Sequence, residues 1–205
     1  MVKIKICGIT NMEDAVKAVG LGVDIIGFNF FKRSPRYINP EAASDIAQKL
    51  PCFVYTVGVF ANDEPGYIKK VIKLTGIQAV QFHGNETPAF CDSFNFPIIK
   101  AFRIKNKNSF KDIDKYHVDA YLLDTYETRK FGGTGKIFNW DLIKNLKKSS
   151  VPIFISGGLN PDNVLQAIKV TNPYAVDVNS GIEKYPGKKD YKLMCDFVYK
   201  VRKFD

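Results

Sequence analysis

The sequence contains no hydrophobic segment long enough to span a membrane. All of its apolar runs are far shorter than the roughly 18 consecutive residues that indicate a transmembrane helix. The N-terminus alternates lysine with isoleucine and therefore lacks the apolar core of a signal peptide. We expect a protein of the cytoplasm that neither crosses nor binds a membrane.

Cysteines are few and widely separated. The four of them stand at positions 7, 52, 91 and 195, with no Cys-x-x-Cys pair and no histidine cluster. This spacing indicates neither a zinc site nor a disulfide framework. We therefore predict free thiols in a reducing compartment and no bound metal.

Basic residues outnumber acidic ones, and the formal net charge is +9. The lysines are nevertheless spread along the chain as doublets such as Lys69-Lys70 and Lys147-Lys148, with no basic block and no aromatic RNA-binding motif. We predict no nucleic-acid partner and attribute most of the charge to solvated helix surface, a part of it steering anions. A nucleic-acid-binding protein is the alternative, and it predicts steeply salt-dependent retention on DNA or RNA.

Strand and helix patterns alternate through the whole chain. Short runs of β-branched and apolar residues, each followed by Gly, Asn, Asp or Pro, alternate with amphipathic stretches of helical period. This predicts eight strands, at 3-6, 24-29, 53-59, 78-82, 97-102, 119-123, 152-156 and 175-178. It also predicts helices near 11-20, 40-50, 64-74, 87-94, 108-115, 140-148, 161-170 and 189-202. Parallel neighbours need crossover connections, so we expect a mainly parallel sheet with helices outside it.

The number of units favours a barrel. Eight strand-helix units in 205 residues suit a single α/β domain over residues 1–205, at the lower size limit of a (β/α)8 TIM barrel. The alternative is a doubly wound open sheet, but no Gly-x-Gly-x-x-Gly turn follows the first strand, where Cys7-Gly8-Ile9-Thr10 stands. A barrel also explains why polar residues lie at the carboxyl ends of strands, since barrel active sites are built there.

Two glycine-containing turns end the last two predicted strands. Gly157-Gly158 follows the seventh strand and Ser180-Gly181 the eighth. Many barrels bind phosphate here through backbone N–H groups, which glycine leaves accessible to an anion. Either turn alone is also explained as a strand-to-helix connection. Together on adjacent strands, with room for an extra helical turn after Gly181, they predict a site for a small phosphorylated substrate.

Two reactive side chains end other strands. Cys7 ends the first and Asp124 the sixth, so a thiol and a carboxyl share a rim where they are able to act as base and acid. Cys7 is also explained as a small buried hydrophobe, and catalysis would require a positive neighbour such as Lys5. Asp124 is also explained as a turn or capping residue.

Further polar residues lie at the same rim. The basic, glycine-rich segment 129–136 is typical of a lid that closes over an anion. Arg36, in a proline-stiffened loop after strand two, suits a bidentate pair with a carboxylate, although a surface arginine is also consistent with its position. His83 ends strand four as an acid-base group or, as we favour, as structural support. Asp177 lines the barrel mouth or caps a turn.

In this order, the motifs resemble the phosphoribosylanthranilate isomerase family of tryptophan biosynthesis. The resemblance covers essentially the whole chain, and its specificity comes from the ordered set. The set consists of Lys-Ile-Cys-Gly-Ile-Thr at 5–10, Ser-Pro-Arg at 34–36, Val-Gly-Val-Phe at 57–60, Gln-Phe-His-Gly-Asn-Glu at 81–86, Asp124, Gly-Gly-Thr-Gly at 132–135, Phe-Asn-Trp at 138–140, Ser-Gly-Gly-Leu-Asn-Pro at 156–161 and Asp-Val-Asn-Ser-Gly-Ile-Glu at 177–183.

The resemblance implies an Amadori rearrangement of N-(5-phosphoribosyl)anthranilate to 1-(2-carboxyphenylamino)-1-deoxyribulose 5-phosphate. It implies no metal or organic cofactor, and a monomer or homodimer. Asp124 would be the general acid at the furanose ring oxygen, Cys7 the base at ribose C2, and Arg36 the partner of the anthranilate carboxylate. The phosphate would bind to backbone amides around Gly157, Gly158, Ser180 and Gly181.

Three positions depart from the usual family pattern, with Phe82 in place of leucine, Ser156 in place of alanine and Asn179 in place of serine. They leave the side-chain details of the phosphate site open. The nearest alternative is the related isomerase of histidine biosynthesis, but it has an aspartate where Cys7 stands, and this chain is short for a second phosphate site. A barrel that binds phosphate ligands without catalysis is another alternative, which a turnover assay would decide.

Overall fold

The computed structural model describes residues 1–125, 140, 142 and 150–204. Eight parallel strands form a closed barrel in chain order, because β1 is hydrogen-bonded to both β2 and β8. The strands are β1 Lys3–Cys7, β2 Ile25–Asn29, β3 Tyr55–Phe60, β4 Ala79–Phe82, β5 Ile98–Ile104, β6 Ala120–Thr125, β7 Ile153–Ile155 and β8 Ala175–Val178. The predicted TIM barrel is confirmed, and every strand overlaps its predicted range.

Helices follow the strands on the outside of the barrel. They are α1 Met12–Gly20, α2 Pro40–Ala47, α3 Pro65–Thr75, α4 Pro88–Asp92, α5 Val164–Thr171 and α6 Tyr191–Phe204. None of the helices in the described ranges is long and apolar enough to cross a bilayer. The predicted lid at 129–136 lies outside the described residues, as does the helix predicted at 140–148 apart from 140 and 142.

Two local features differ from the sequence prediction. The helix expected at 108–115 is a pair of 3-10 turns, Lys107–Phe110 and Ile113–Lys115. The side chains of Asn106 and Ser109 accept hydrogen bonds from nearby backbone N–H groups, and such local bonds compete with an α-helix. After β8, a 3-10 turn at Ser180–Ile182 is followed by an antiparallel hairpin that the sequence did not indicate, with strands β9 Glu183–Tyr185 and β10 Lys188–Lys189.

Alternation along the strands divides the buried side chains into two apolar sets. The larger set packs between the barrel and its helices. The smaller set fills the barrel interior with Ile25, Val57, Ala79, Ile99, Ala101, Ala120, Leu122, Phe154 and Ala175. Along β6, Asp124 continues the inward series of Ala120 and Leu122, and along β1 both Lys5 and Cys7 are buried at alternate positions. The period of two that builds the barrel therefore also carries polar side chains into its mouth.

Gly58 lies at a tight contact between β3 and the outer layer. A Cβ at this position would lie 2.5 Å from Ile77 Cδ1 and 3.0 Å from the rings of Phe30 and Phe60. Gly58→Ala should overpack this layer and lower the free energy of unfolding by about 1–3 kcal/mol. The matched control is Gly66→Ala in α3, where a Cβ would meet nothing within 4 Å. It should leave the free energy unchanged or raise it by about 0.5–1 kcal/mol. Urea unfolding measures both, and equal midpoints for the two variants would contradict this packing.

Candidate active site

The residues predicted to share a rim line one cavity. It opens at the carboxyl ends of the barrel strands, and His83 and Asp177 contribute to its wall. Six of the seven predicted site residues also line it, namely Cys7, Arg36, Asp124, Gly157, Gly158 and Ser180. The seventh, Gly181, belongs to the same 3-10 turn as Ser180.

Cys7 stands beside a buried ion pair at the end of β1. The Lys5 ammonium, two residues earlier, donates a hydrogen bond to Asp177 Oδ1 at 2.8 Å, and the Ser156 hydroxyl donates to Asp177 Oδ2 at 3.0 Å. A Cβ built on Gly27 of the neighbouring strand would lie 3.0 Å from Cys7 Sγ and 3.3 Å from Lys5 Nζ. The thiol and the ammonium therefore adjoin the same glycine, which leaves room for both.

The surrounding charges act on the Cys7 thiol in opposite directions. Burial raises the pKa of Cys7, the cations of Lys5 and Lys189 oppose that rise, and the Asp177 carboxylate adds to it. Burial alone would lower the pKa of Lys5, but Asp177 and Cys7 raise it, so the ammonium keeps its charge next to the sulfur. Two buried lysines thus supply the positive neighbour that the sequence analysis required for a catalytic thiol at this position. Lys5 was named there, whereas Lys189 was not.

Asp124 is oriented by two hydrogen bonds. Its Oδ1 accepts from the Thr125 backbone N–H at 2.7 Å, and its Oδ2 lies 3.0 Å from His83 Nε2. The other ring nitrogen of His83 lies 2.8 Å from Gln81 Nε2. When that amide donates to Nδ1, the His83 proton is on Nε2 and is donated to the carboxyl group. His83 thus supports Asp124 directly, and Gln81 is a supporting residue that the sequence analysis missed.

Cys7 and Asp124 approach the cavity from separate parts of the barrel. The strands β7 and β8 lie between β6 and β1 on the shorter path around the barrel. A small molecule held in the mouth therefore has the carboxyl group and the thiol on different sides. This arrangement allows one group to donate a proton at one atom while the other removes a proton from a neighbouring atom.

The glycine turns after β7 and β8, which the sequence predicts to bind phosphate, have tightly constrained backbones. Gly157 and Gly158 adopt positive φ values of 86° and 68°, a region that favours glycine. A Cβ on Gly157 would lie 2.3 Å from Thr125 Oγ1, and one on Gly181 would lie 1.9 Å from the Leu159 carbonyl oxygen. Glycine at 157 thus lets the turn after β7 pack against the end of β6, and glycine at 181 lets the turn after β8 pack against the turn after β7.

Arg36 lies in the loop after β2 and is largely buried. Its Nε is 3.0 Å from both carboxylate oxygens of Glu183, and its Nη2 is 2.7 Å from Oε2. Burial alone would raise the pKa of Glu183, but the hydrogen bonds and charges of Arg36 and Lys189 lower it below the usual value. Neither Glu183 nor Lys189 was predicted as a site residue, although Glu183 lies within the motif at 177–183.

Fold and site together define a (β/α)8-barrel enzyme with a thiol, a carboxyl group, two glycine turns and an arginine at its mouth. Among the residues that the structure describes, no group of three or more His, Cys, Asp or Glu is arranged to hold a metal ion. The family model described as N-(5'phosphoribosyl)anthranilate (PRA) isomerase matches residues 4–200. The chain belongs to this family.

Individual relatives agree with this assignment. The chain is 45% identical over 202 residues to N-(5'-phosphoribosyl)anthranilate isomerase of Geobacter sulfurreducens, covering 98% of this chain and 99% of the relative. A solved phosphoribosyl anthranilate isomerase in complex with reduced 1-(o-carboxyphenylamino)-1-deoxyribulose 5-phosphate superposes with a TM-score of 0.89 at 40% identity, covering 99% and 100%. Another structure, of monomers made from the dimeric Thermotoga maritima enzyme, gives 0.90 at 40% identity with the same coverage.

The pH dependence of Cys7 alkylation should report the charges around the thiol. Because burial raises its pKa, half-maximal alkylation of wild-type Cys7 should occur above the pH of about 8.5 that is typical of a free thiol. Lys5→Met removes a cation and should move the midpoint higher. Asp177→Asn removes an anion and should move it lower.

Peptide mass spectrometry after brief iodoacetamide treatment measures these midpoints. The exposed Cys52 is the internal control and should respond to neither substitution. Shifts of Cys7 in the same direction for both variants would contradict the arrangement.

Proposed function

We propose that this chain converts N-(5-phosphoribosyl)anthranilate to 1-(2-carboxyphenylamino)-1-deoxyribulose 5-phosphate in tryptophan biosynthesis. The observation that carries the proposal is the placement of Cys7 and Asp124 around one cavity that also has glycine turns and an arginine. The substrate has a phosphate at one end and an aromatic carboxylate at the other. It matches the two anion-binding places, with the ribose between them.

Asp124 acts as the general acid. Its carboxyl group gives a proton to the furanose ring oxygen, the bond between C1 and that oxygen breaks, and the anthranilate nitrogen forms a protonated Schiff base with C1. His83 Nε2 and the Thr125 N–H hold the carboxyl group in place during this step. The substrate nitrogen accepts the electrons of the next step, so no organic cofactor is needed.

Cys7 acts as the general base. Its thiolate removes the proton from ribose C2, and the electron pair left behind neutralises the Schiff base to give an enolamine. The enolamine then tautomerises to the ketone. The Lys5 ammonium next to the sulfur favours the thiolate, while burial makes the thiolate a stronger base than an exposed one.

The phosphate and the carboxylate of the substrate both contribute to its binding. The phosphate binds to backbone N–H groups around Gly157, Gly158, Ser180 and Gly181, in two turns that glycine alone fits, since Gly157 and Gly158 have positive φ values and Gly181 packs against the Leu159 carbonyl. Arg36 binds the anthranilate carboxylate. The cytoplasm suits this enzyme, because all four of its cysteines are free.

Turnover of freshly generated substrate, followed as the loss of its fluorescence, tests the reaction and both roles. Cys7→Ala and Asp124→Asn should each lower the rate by about 10²–10⁴-fold, the usual contribution of a positioned acid or base. The exposed-residue controls Cys52→Ala and Asp112→Asn should keep wild-type activity. Near-normal rates in both site variants would refute the roles, and an inactive wild type would refute the reaction.

We also propose that the chain is a homodimer joined at the amino-terminal ends of its barrel strands. Phe53, just before β3, is 80% exposed, and Tyr174, just before β8, is 52% exposed. Both border a cavity of about 350 Å³ that reaches Phe154 inside the barrel. A projecting aromatic ring beside an apolar hollow is self-complementary about a twofold axis. The Thermotoga maritima relative described as dimeric supports a second copy of this chain as the occupant.

Phe53→Glu should therefore make the protein monomeric, because a carboxylate would be buried at the interface. Analytical ultracentrifugation of wild type and variant measures this directly. Tyr199→Glu on α6, also exposed, is the matched control and should leave the mass unchanged. A wild type that is monomeric at micromolar concentration, or a Phe53 variant that remains dimeric, would overturn this proposal.

A further inference from the structure

Glu183 binds the edge of the Arg36 guanidinium formed by Nε and Nη2 and leaves the outer edge available to a substrate. It takes Nε and one hydrogen of Nη2, and within the described residues no hydrogen bond reaches Nη1. The planar guanidinium thus keeps its outer edge, Nη1 and the second Nη2 hydrogen, for another carboxylate. The Arg36 chain is confined as well, because a Cβ on Gly8 would lie 2.9 Å from Arg36 Cδ.

Lys189 preserves the positive charge of this assembly. Paired with Glu183 alone, Arg36 would offer a neutral ion pair to an anionic substrate. The Lys189 ammonium is fully buried and lies 2.9 Å from Glu183 Oε1, so two cations share one carboxylate. Burial lowers the pKa of Lys189, and the contact with Glu183 opposes that change. With Lys189 charged, the three groups have a net charge of +1.

The same lysine reaches the turn after β8. Lys189 Nζ donates to Asn179 Oδ1 at 2.9 Å and to the Asn179 carbonyl oxygen at 3.2 Å. Asn179 directly precedes Ser180, which borders the cavity in the anion-binding turn. One chain of buried contacts therefore joins the loop that carries Arg36 to the turn assigned to the phosphate.

We infer that Glu183 and Lys189 are positioning residues that determine substrate specificity. Glu183 holds the Arg36 guanidinium so that its outer edge faces the substrate carboxylate. Lys189, through Asn179, sets the distance between this guanidinium and the turn assigned to the phosphate. This inference rests on the proposed function. It explains why a carboxylate is buried next to the arginine that binds the anionic ring, where it would otherwise repel the substrate. The site thereby selects substrates that carry both anions.

The test compares two stable ligands by calorimetry, namely reduced 1-(2-carboxyphenylamino)-1-deoxyribulose 5-phosphate and the same compound without its ring carboxylate. Wild type should bind the carboxylated ligand more tightly. Glu183→Gln should weaken that ligand about 10- to 100-fold, the usual effect of losing a hydrogen bond to a charged group, and barely change the other. With substrate, the same variant should raise KM by a similar factor and leave kcat within about threefold.

Two further variants identify the route of the effect. In the Arg36→Met background, Glu183→Gln should cause no additional loss, because Glu183 acts through Arg36. Glu183→Gln leaves the buried Lys189 without a negatively charged partner, and this could destabilise the fold. The double variant Glu183→Gln/Lys189→Met restores the charge balance and therefore checks that the loss of selectivity does not come from unfolding. It should be folded by circular dichroism and still bind both ligands without selectivity. Glu64→Gln, at an exposed glutamate, should match wild type.

The outcomes separate this inference from the reaction. Equal weakening of both ligands by Glu183→Gln, or full selectivity in that variant, would overturn the positioning role even if wild type turns over its substrate. Selective binding that Glu183→Gln abolishes would support the positioning role even if wild type showed no isomerase activity, in which case the proposed reaction alone would fail.

Discussion

Closure of the parallel barrel is the constraint on which the other features depend. Once β1 is hydrogen-bonded to β8, residues at alternate positions of every strand must point into a shared interior. The middle of that interior is filled by small and branched apolar side chains such as Ala101 and Val57. At the carboxyl ends the inward positions are polar, so the same geometry that packs the core also assembles the site.

Buried lysine-carboxylate pairs surround this mouth. Lys5 pairs with Asp177 under the thiol, and Lys189 pairs with Glu183 behind the arginine. Such pairs are weak evidence for stability, because removing both charges from water offsets much of their attraction. Their concentration around the cavity is better explained by the charge and orientation that they impose on the groups that line it.

A third pair holds the backbone around the histidine that contacts Asp124. Lys100 donates to Glu86 Oε2 at 2.8 Å and to the carbonyl oxygens of Phe82 and Gly84, on either side of His83. The backbone around His83 is thus tied to β5 from inside the protein. In the proposed mechanism this contact reaches Asp124 through His83, so each reacting group is supported by its own buried lysine.

The sequence alone determined the architecture and the side chains that end its strands. Alternating strand and helix patterns are local, and the side chain at the carboxyl end of each strand follows from a period of two, so the barrel, Cys7 and Asp124 were predictable. The substrate atoms on which these residues act, and the carboxylate that Arg36 binds, came from the family resemblance and remain proposals. Local hydrogen bonding was harder to predict, since competing polar side chains turned one expected helix into 3-10 turns.

Only the tertiary structure decided which charges meet. Lys5 and Asp177 are 172 residues apart in the chain, and Arg36 and Glu183 are 147 apart, yet both pairs form buried contacts. No local pattern encodes such a pairing, because it depends on how β1 closes against β8 and on how the hairpin after β8 packs against the loops after β1 and β2. The sequence therefore specified which side chains stand at the rim, whereas the folded barrel set their electrostatic environment.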